Sequence, residues 1–231
     1  MEKIDLICNT DSKSIISEAY RVIRTNIQFS STAGKKLKSI IITSTTLSEG
    51  KSTTISNLGV VLAQAGYKTV IVDCDLRKPV EHKIFKLKNV GLTNHIISYE
   101  NIDDFIQPSG IEKNLFVITS GTIPPNPSEI LGSEEMEKVI RGLEESFDYV
   151  LIDTPPVIPV TDALVLAGKV DGVIVVVESE RIKPAMAKEM KDRLVNNGAN
   201  ILGVILNKVD VENSHHYGYE YYHYYGTDEK E

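Results

Sequence analysis

No stretch of the chain approaches the ~18 consecutive apolar residues of a membrane span. The start, MEKIDLICNTDSK, also lacks the long apolar core of a secretory leader. A chain that does not cross a bilayer is therefore expected. Cysteine is scarce: Cys8 and Cys74 have no framework spacing, which argues against a disulfide scaffold and for a reducing compartment. Positive charge is in deficit, with 25 Lys and Arg against 32 Asp and Glu and a net charge of −7. That balance argues against nucleic acid as a main partner. No internal repeat is evident. What is present, 231 residues with 42% apolar and 25% charged, is ordinary for one large globular domain with a sizeable core.

The organising stretch is Ile40 to Thr54. Ile40, Ile41 and Ile42 read as a buried strand, a polar loop follows, and Gly50-Lys51-Ser52-Thr53 opens a helix-like run to Ala65. Strand, loop and helix in that order make a phosphate-binding loop. Backbone N–H groups of Thr46, Leu47, Ser48, Glu49, Gly50, Lys51, Ser52 and Thr53 can face anionic oxygens. Lys51 places a point charge on the outer phosphates, and the Ser52 hydroxyl suits Mg²⁺. The first glycine of G-x-x-x-x-G-K-[ST] is replaced by Thr45.

Around this motif, helical and strand patterns alternate. Ser14–Phe29 reads as a helix whose Ile15, Ala19, Ile23 and Ile27 form a core-facing stripe, with Glu18, Arg21 and Arg24 on another face. Residues 1–13 read as a loose arm. Strands are expected at Thr69–Val72, Leu115–Thr119, Tyr149–Ile152, Gly172–Val177 and Ile201–Leu206. Helices are expected at Ser52–Ala65, Ser133–Glu145, Thr161–Gly168 and Pro184–Asn197, with short ones around His95–Ile97 and Asp103–Ile106. Gly121–Pro127, GTIPPNP, reads as a turn-rich loop. Near-continuous apolar strands alternating with helices mean an α/β fold: a mostly parallel, doubly wound sheet covered on both faces.

Ligands of such sheets sit at the carboxyl ends of the strands. Asp73 and Asp75 follow the second strand and Asp153 ends VLID. Near a phosphate loop, these carboxylates can hold Mg²⁺ with its waters or accept a hydroxyl proton. Capping of the next helix is the plainer alternative for each aspartate alone. The segment Asn207-Lys208-Val209-Asp210 matches the guanine-reading N-K-x-D, but Asp153 is followed by Thr-Pro-Pro rather than the D-x-x-G that a GTPase needs. The tail from Asn213 lacks aliphatic residues and is expected to be mobile when unbound. It carries Tyr217, Tyr219, Tyr221, Tyr222, Tyr224 and Tyr225, and its His215, His216 and His223 have no Cys or carboxylate at the ligand spacing of a metal site.

Val70-Ile71-Val72-Asp73-Cys74-Asp75-Leu76-Arg77 resembles the second Walker motif of bacterial tyrosine kinases, and VLIDTPP at 150–156 resembles their Walker B motif. Glu18-x-x-Arg21-x-x-Arg24 is similar to their assembly motif, GTIPPNPSEIL at 121–131 to their shared loop, and the tail to their autophosphorylation cluster. The resemblance covers essentially the whole chain and is close to the cytoplasmic kinases of Gram-positive capsule and exopolysaccharide operons. It implies a P-loop NTPase-type kinase domain over 1–212, including an N-terminal arm and assembly helix at 1–36, and a flexible tyrosine-rich tail over 213–231. It implies ATP and Mg²⁺ as cofactors, with Ser52, Asp75 and Asp153 at the metal and Lys51, Asp73, Asp75 and Asp153 in catalysis. Asp73 is the implied proton acceptor, and Asn207 a base contact as in related ATPases. The six tail tyrosines are implied acceptors in trans. Glu18, Arg21 and Arg24 are implied to build a ring-like homo-oligomer, recruited to the inner face of the membrane by a membrane-anchored activator, with protein tyrosines as substrates.

The rival reading is a non-kinase ATPase switch of the partitioning and cell-division type. Those proteins carry a second lysine near the start of the phosphate loop. Positions 44 to 49 here are Ser, Thr, Thr, Leu, Ser and Glu, and the tyrosine tail has no role in such a switch.

Overall fold

The computed structural model describes residues 6–30, 36–98 and 100–210. Seven strands form one sheet in the order β3-β4-β2-β5-β1-β6-β7. They are β1 (Ser39–Ser44), β2 (Thr69–Asp73), β3 (Gln107–Pro108), β4 (Leu115–Ile118), β5 (Tyr149–Asp153), β6 (Gly172–Glu178) and β7 (Ile201–Asn207). All pairings are parallel except β3 with β4. Every residue of β1, β2 and β5 is buried, as expected of central parallel strands with helices on both faces.

On one face lie α1 (Ile7–Thr10), α2 (Ile15–Phe29) and α3 (Lys51–Gln64), over Ile40, Ile42, Ile71, Leu151 and Ile174. The short α4 (Glu81–Ile84) follows β2, and α5 (Leu92–Ser98) leads into a 3₁₀ turn at Ile102–Phe105. On the other face, α6 (Pro127–Gly132), α7 (Glu134–Ser146), α8 (Asp162–Ala167) and α9 (Pro184–Asn196) enclose a second cluster around Ile41, Val70, Val150, Ile152 and Val173. The alternation of Ile40, Ile41 and Ile42 between the clusters is the period-two pattern of a strand. Helix α3 is buried over Thr54–Ala63. It lies so close to the sheet that a Cβ at Gly59 would come within 2.8 Å of Ile71 Cδ1.

Three expectations need correction. Residues 7–10 of the supposed arm form α1, which is tied to α3 by the Cys8 amide donating to Asn57 Oδ1 at 3.0 Å; Cys8 is fully buried. The core side of α2 is Ser17, Tyr20 and Ile27, whereas Ile15 is 37% exposed. Tyr20 supplies the bulk that meets α3, so the helix is rotated from the aliphatic stripe. The turn-rich loop ends one residue earlier than expected, because Pro127 takes the first position of α6, where its missing N–H costs nothing. The short α4 and β3 have too few residues to show a period in the sequence. No helix among the described residues is long and apolar enough to cross a membrane.

Candidate active site

The phosphate loop runs from the end of β1 to the start of α3. Its geometry explains why Thr45 can replace glycine: the left-handed residues are Ser48 (φ 66°) and Gly50 (φ 92°), not Thr45. Gly50 is fixed for a second reason. A Cβ there would sit 2.1 Å from Asn207 Nδ2, and that amide nitrogen donates to Glu49 O at 2.9 Å. Asn207, expected as a base contact, is thus placed at the end of β7 directly against the loop. Lys208 Nζ adds a hydrogen bond to Ser48 O at 2.8 Å.

The Glu49 side chain points back into its own loop. Its buried Oε2 accepts from Thr45 N at 2.7 Å and Thr46 N at 2.8 Å. Glu49 therefore braces the loop with its carboxylate, and only its backbone is left for an anion. Leu47 lies on the outside, 49% exposed.

Lys51 starts α3, and its ammonium reaches three groups: Asp75 Oδ2 at 2.9 Å, Ser52 Oγ at 3.2 Å and Asp153 Oδ1 at 3.4 Å. The Ser52 hydroxyl donates to Asp153 Oδ2 at 2.7 Å. Asp73 and Asp153 are register partners at the ends of β2 and β5. Asp73 is held by main chain: Oδ1 accepts from Asp75 N at 3.2 Å, and Oδ2 accepts from Val80 N and Glu81 N, each at 3.1 Å. All four predicted catalytic residues, Lys51, Asp73, Asp75 and Asp153, thus meet at the carboxyl edge of the sheet.

Electrostatics follow from burial. Asp73 is pushed up to about 7, first by desolvation and then by Asp153, against the amide of Glu81 and the charge of Lys51. Burial likewise raises Asp153, opposed chiefly by Lys51. Burial alone would lower the Lys51 ammonium, but Asp153 and Asp75 together outweigh it and raise it. One ammonium faces three carboxylates, so the site has negative charge to spare. No group of three or more His, Cys, Asp or Glu among the described residues is arranged to hold a metal alone. The donor set fits Mg²⁺, which takes one or two carboxylates and completes its shell with waters and phosphate oxygens.

Two acidic residues at this edge went unseen in the sequence. Asp162, fully buried at the start of α8, receives Arg77 Nε at 2.8 Å, Arg77 Nη2 at 2.9 Å and Ser128 Oγ at 2.8 Å. Arg77 thereby ties the β2 loop to α6 and α8. Glu81, also fully buried, contacts Ser56 of α3 at 2.9 Å. No local pattern marks either one, since their partners lie 85 and 25 residues away.

The expected assembly residues have partners within the chain. Arg21 pairs with Glu18 at 2.8 Å and also bonds Ser12 O, and Arg24 Nη1 donates to Val61 O of α3 at 3.1 Å. Tyr217, Tyr219, Tyr221, Tyr222, Tyr224 and Tyr225 lie outside the described residues, as does the whole of the expected tail.

Known proteins resemble this chain over most of its length. Residues 40–227 match the model of the CobQ/CobB/MinD/ParA nucleotide binding domain. The chain is 42% identical to tyrosine-protein kinase YwqD of Bacillus subtilis (strain 168), over 96% of this chain and 92% of that one. It is 41% identical to tyrosine-protein kinase CpsD of Streptococcus agalactiae serotype III (strain NEM316), over 84% and 82%. Among solved structures it is similar to the chimerical protein CapA2B2, with a TM-score of 0.83, 43% identity, and coverage of 88% of this chain and 89% of that one.

Proposed function

The chain belongs to the bacterial tyrosine kinases of the CobQ/CobB/MinD/ParA nucleotide-binding family. From that premise we propose that it transfers the γ-phosphoryl group of ATP to the tyrosines of its own C-terminal cluster, between copies, in service of capsular or exopolysaccharide synthesis. The observation that carries this reading is the convergence of Lys51, Ser52, Asp73, Asp75 and Asp153 at one sheet edge. The partitioning-type switch has no comparable support, since relatives at 41% and 42% identity are tyrosine kinases.

Phosphoryl transfer needs positioning and charge stabilisation more than covalent help from the protein. The loop amides and Lys51 hold the β- and γ-phosphates. In doing so Lys51 exchanges part of its pairing with Asp75 and Asp153 for phosphate oxygens. Mg²⁺, when bound, neutralises charge on the β- and γ-phosphates. Ser52, Asp75 and Asp153 would hold it directly or through its waters. Asp73 accepts the tyrosine hydroxyl proton. A phenol titrates near ~10, so a carboxylate with a raised pKa is better matched to that proton than an ordinary one.

A cavity of about 450 Å³ lies beside this point, lined by Arg77, Lys78, Val80, Lys83 and Ile123 among others. The exposed apolar side chains Ile16, Val22 and Phe29 on α2 support assembly of copies through that helix. Each phosphate adds about −1.5 to −2 charge, so a fully modified tail is repelled from this acidic site and its copies separate. A membrane-anchored partner recruits the chain to the inner face of the membrane and activates it. The test is incubation with ATP and Mg²⁺, with and without the cytoplasmic segment of that partner, followed by detection of phosphotyrosine. Absence of phosphotyrosine on the tail under both conditions would refute this acceptor assignment.

A further inference from the structure

Glu81 opens α4 and is fully buried. Its Oε2 lies 2.9 Å from Ser56 Oγ, and its Oε1 has no hydrogen-bond partner among the described residues. Ser56 Oγ also lies 2.7 Å from the carbonyl oxygen of Ser52, one helical turn earlier. A serine hydroxyl carries one proton, and a backbone carbonyl can only accept. An ionised Glu81 would draw that proton to Oε2 and leave Ser52 O with its helical amide alone, whereas beside a neutral Glu81 the proton goes to Ser52 O. In that state Glu81 is the donor to Ser56 Oγ. Burial beside Asp153 and Asp73 favours the neutral form, raising the Glu81 carboxyl well above its ordinary value. An ionised carboxylate with one bare oxygen at this depth would be strongly disfavoured.

The main chain of Glu81 bears on the reaction. Its N–H and that of Val80 both donate to Asp73 Oδ2. We propose that Glu81 is a positioning residue for phosphoryl transfer: as a neutral carboxylic acid it fastens the 80–81 turn to α3 through Ser56, and so keeps two amides on Asp73. The chain Glu81 O–H to Ser56 to Ser52 O then links the turn that orients Asp73 to the first turn of α3, which carries Lys51 and Ser52. A neutral Glu81 also avoids a further negative charge beside Asp73 and Asp153. The inference rests on the reading of Asp73 as the proton acceptor.

The test uses the full chain, ATP and Mg²⁺, with a peptide of residues 213–231 as acceptor, under conditions where the parent phosphorylates it. Glu81→Ala releases the turn and should lower kcat about tenfold while leaving KM for ATP within about twofold. Glu81→Gln keeps a neutral donor for Ser56 and should restore most of the parent kcat. An E81Q as impaired as E81A, an E81A with parent kcat, or an E81A changed only in KM would overturn the proposal. An infrared difference spectrum of parent against E81Q at neutral pH gives a readout independent of activity. It should contain the carbonyl stretch of a protonated carboxylic acid, and a carboxylate signature in its place would overturn the proposal. If E81A does not fold, the E81Q activity and this band decide. Retained transfer in Asp73→Asn would instead remove the reading of Asp73, and the infrared result would still report the state of Glu81.

Discussion

Asp73 and Asp153 stand side by side as register partners across β2 and β5, and the nearest ammonium, Lys51, is bonded to Asp153 and Asp75 but not to Asp73. Two adjacent parallel strands thus end in carboxylates with different surroundings. Asp153 faces a cation and the Ser52 hydroxyl, and Asp73 faces backbone amides. Different tasks follow: Asp153 is suited to phosphate and metal, and Asp73 to a proton.

Lys51→Met should abolish tail phosphorylation, because nothing else in the loop places a positive charge on the outer phosphates. It also strands Asp75 and Asp153, which are buried. Breaking a buried pair from one side costs roughly 3–5 kcal/mol. Thermal unfolding should therefore show a deficit that is largest at alkaline pH and shrinks as the carboxylates are protonated. An active variant, or one equally stable at all pH values, would contradict the placement of Lys51.

The raised pKa of Asp73 gives a pH signature. A folded value of about 7 against an ordinary 3.8 means that the folded protein holds a proton which the unfolded chain releases first. The corresponding stability is fully present below 3.8 and is lost as pH rises through about 7. Asp73→Asn should remove that slope, so the melting temperature of the variant relative to the parent should climb between these limits. Parallel melting curves for parent and variant across the range would count against a buried Asp73 with raised pKa.

Replacing Arg21 and Arg24 together by alanine should yield monomers by light scattering if the α2 face joins copies. The structure adds a second effect, since Arg24 bonds Val61 O. Losing that hydrogen bond should cost about 1 kcal/mol of stability. A parent that is multimeric and a variant of the same mass would leave these arginines as intramolecular braces only.

Transfer between copies can be isolated by mixing. A Lys51→Met chain has acceptors but no active site, and a chain truncated after Asn213 has a site but no tyrosine cluster. With activator present, phosphotyrosine should appear on the Lys51→Met chain alone. An unlabelled mixture, beside a labelled intact parent, would exclude transfer in trans.

Sequence periodicity revealed what is repeated or stands at a strand end. The alternating Ile40, Ile41 and Ile42 and the terminal Asp73 and Asp153 are local signals, and each lies where its strand placed it. Helix α2 misled because its core side includes Ser17 and Tyr20 while Ile15 and Ile16 face outward. Aliphatic content alone placed Ile23 and Ile27 correctly but put Ile15 and Ala19 on the core side in place of Ser17 and Tyr20. The state of Glu49, Glu81 and Asp162 was hidden for another reason. A carboxylate destined for burial is indistinguishable in sequence from a solvated one until its partners come together. Thr45 shows the reverse: a departure from the expected glycine proves harmless because the left-handed turn falls at Ser48 and Gly50.

The Ser128–Asp162–Arg77 knot has a practical consequence for anyone modifying this chain. The stretch around GTIPPNPSEIL has the glycine and proline content of a linker, the kind of place chosen for an epitope tag or a fluorescent-domain graft. Yet Ser128, one residue into α6, is bonded to Asp162, which in turn holds the arginine that follows Asp75. Extra residues spliced in there would pull on the catalytic edge from a distance. Permissive grafting sites should be sought elsewhere, for instance at the glycine-containing corner after α9, where Gly198 already turns in the left-handed region away from these strand ends.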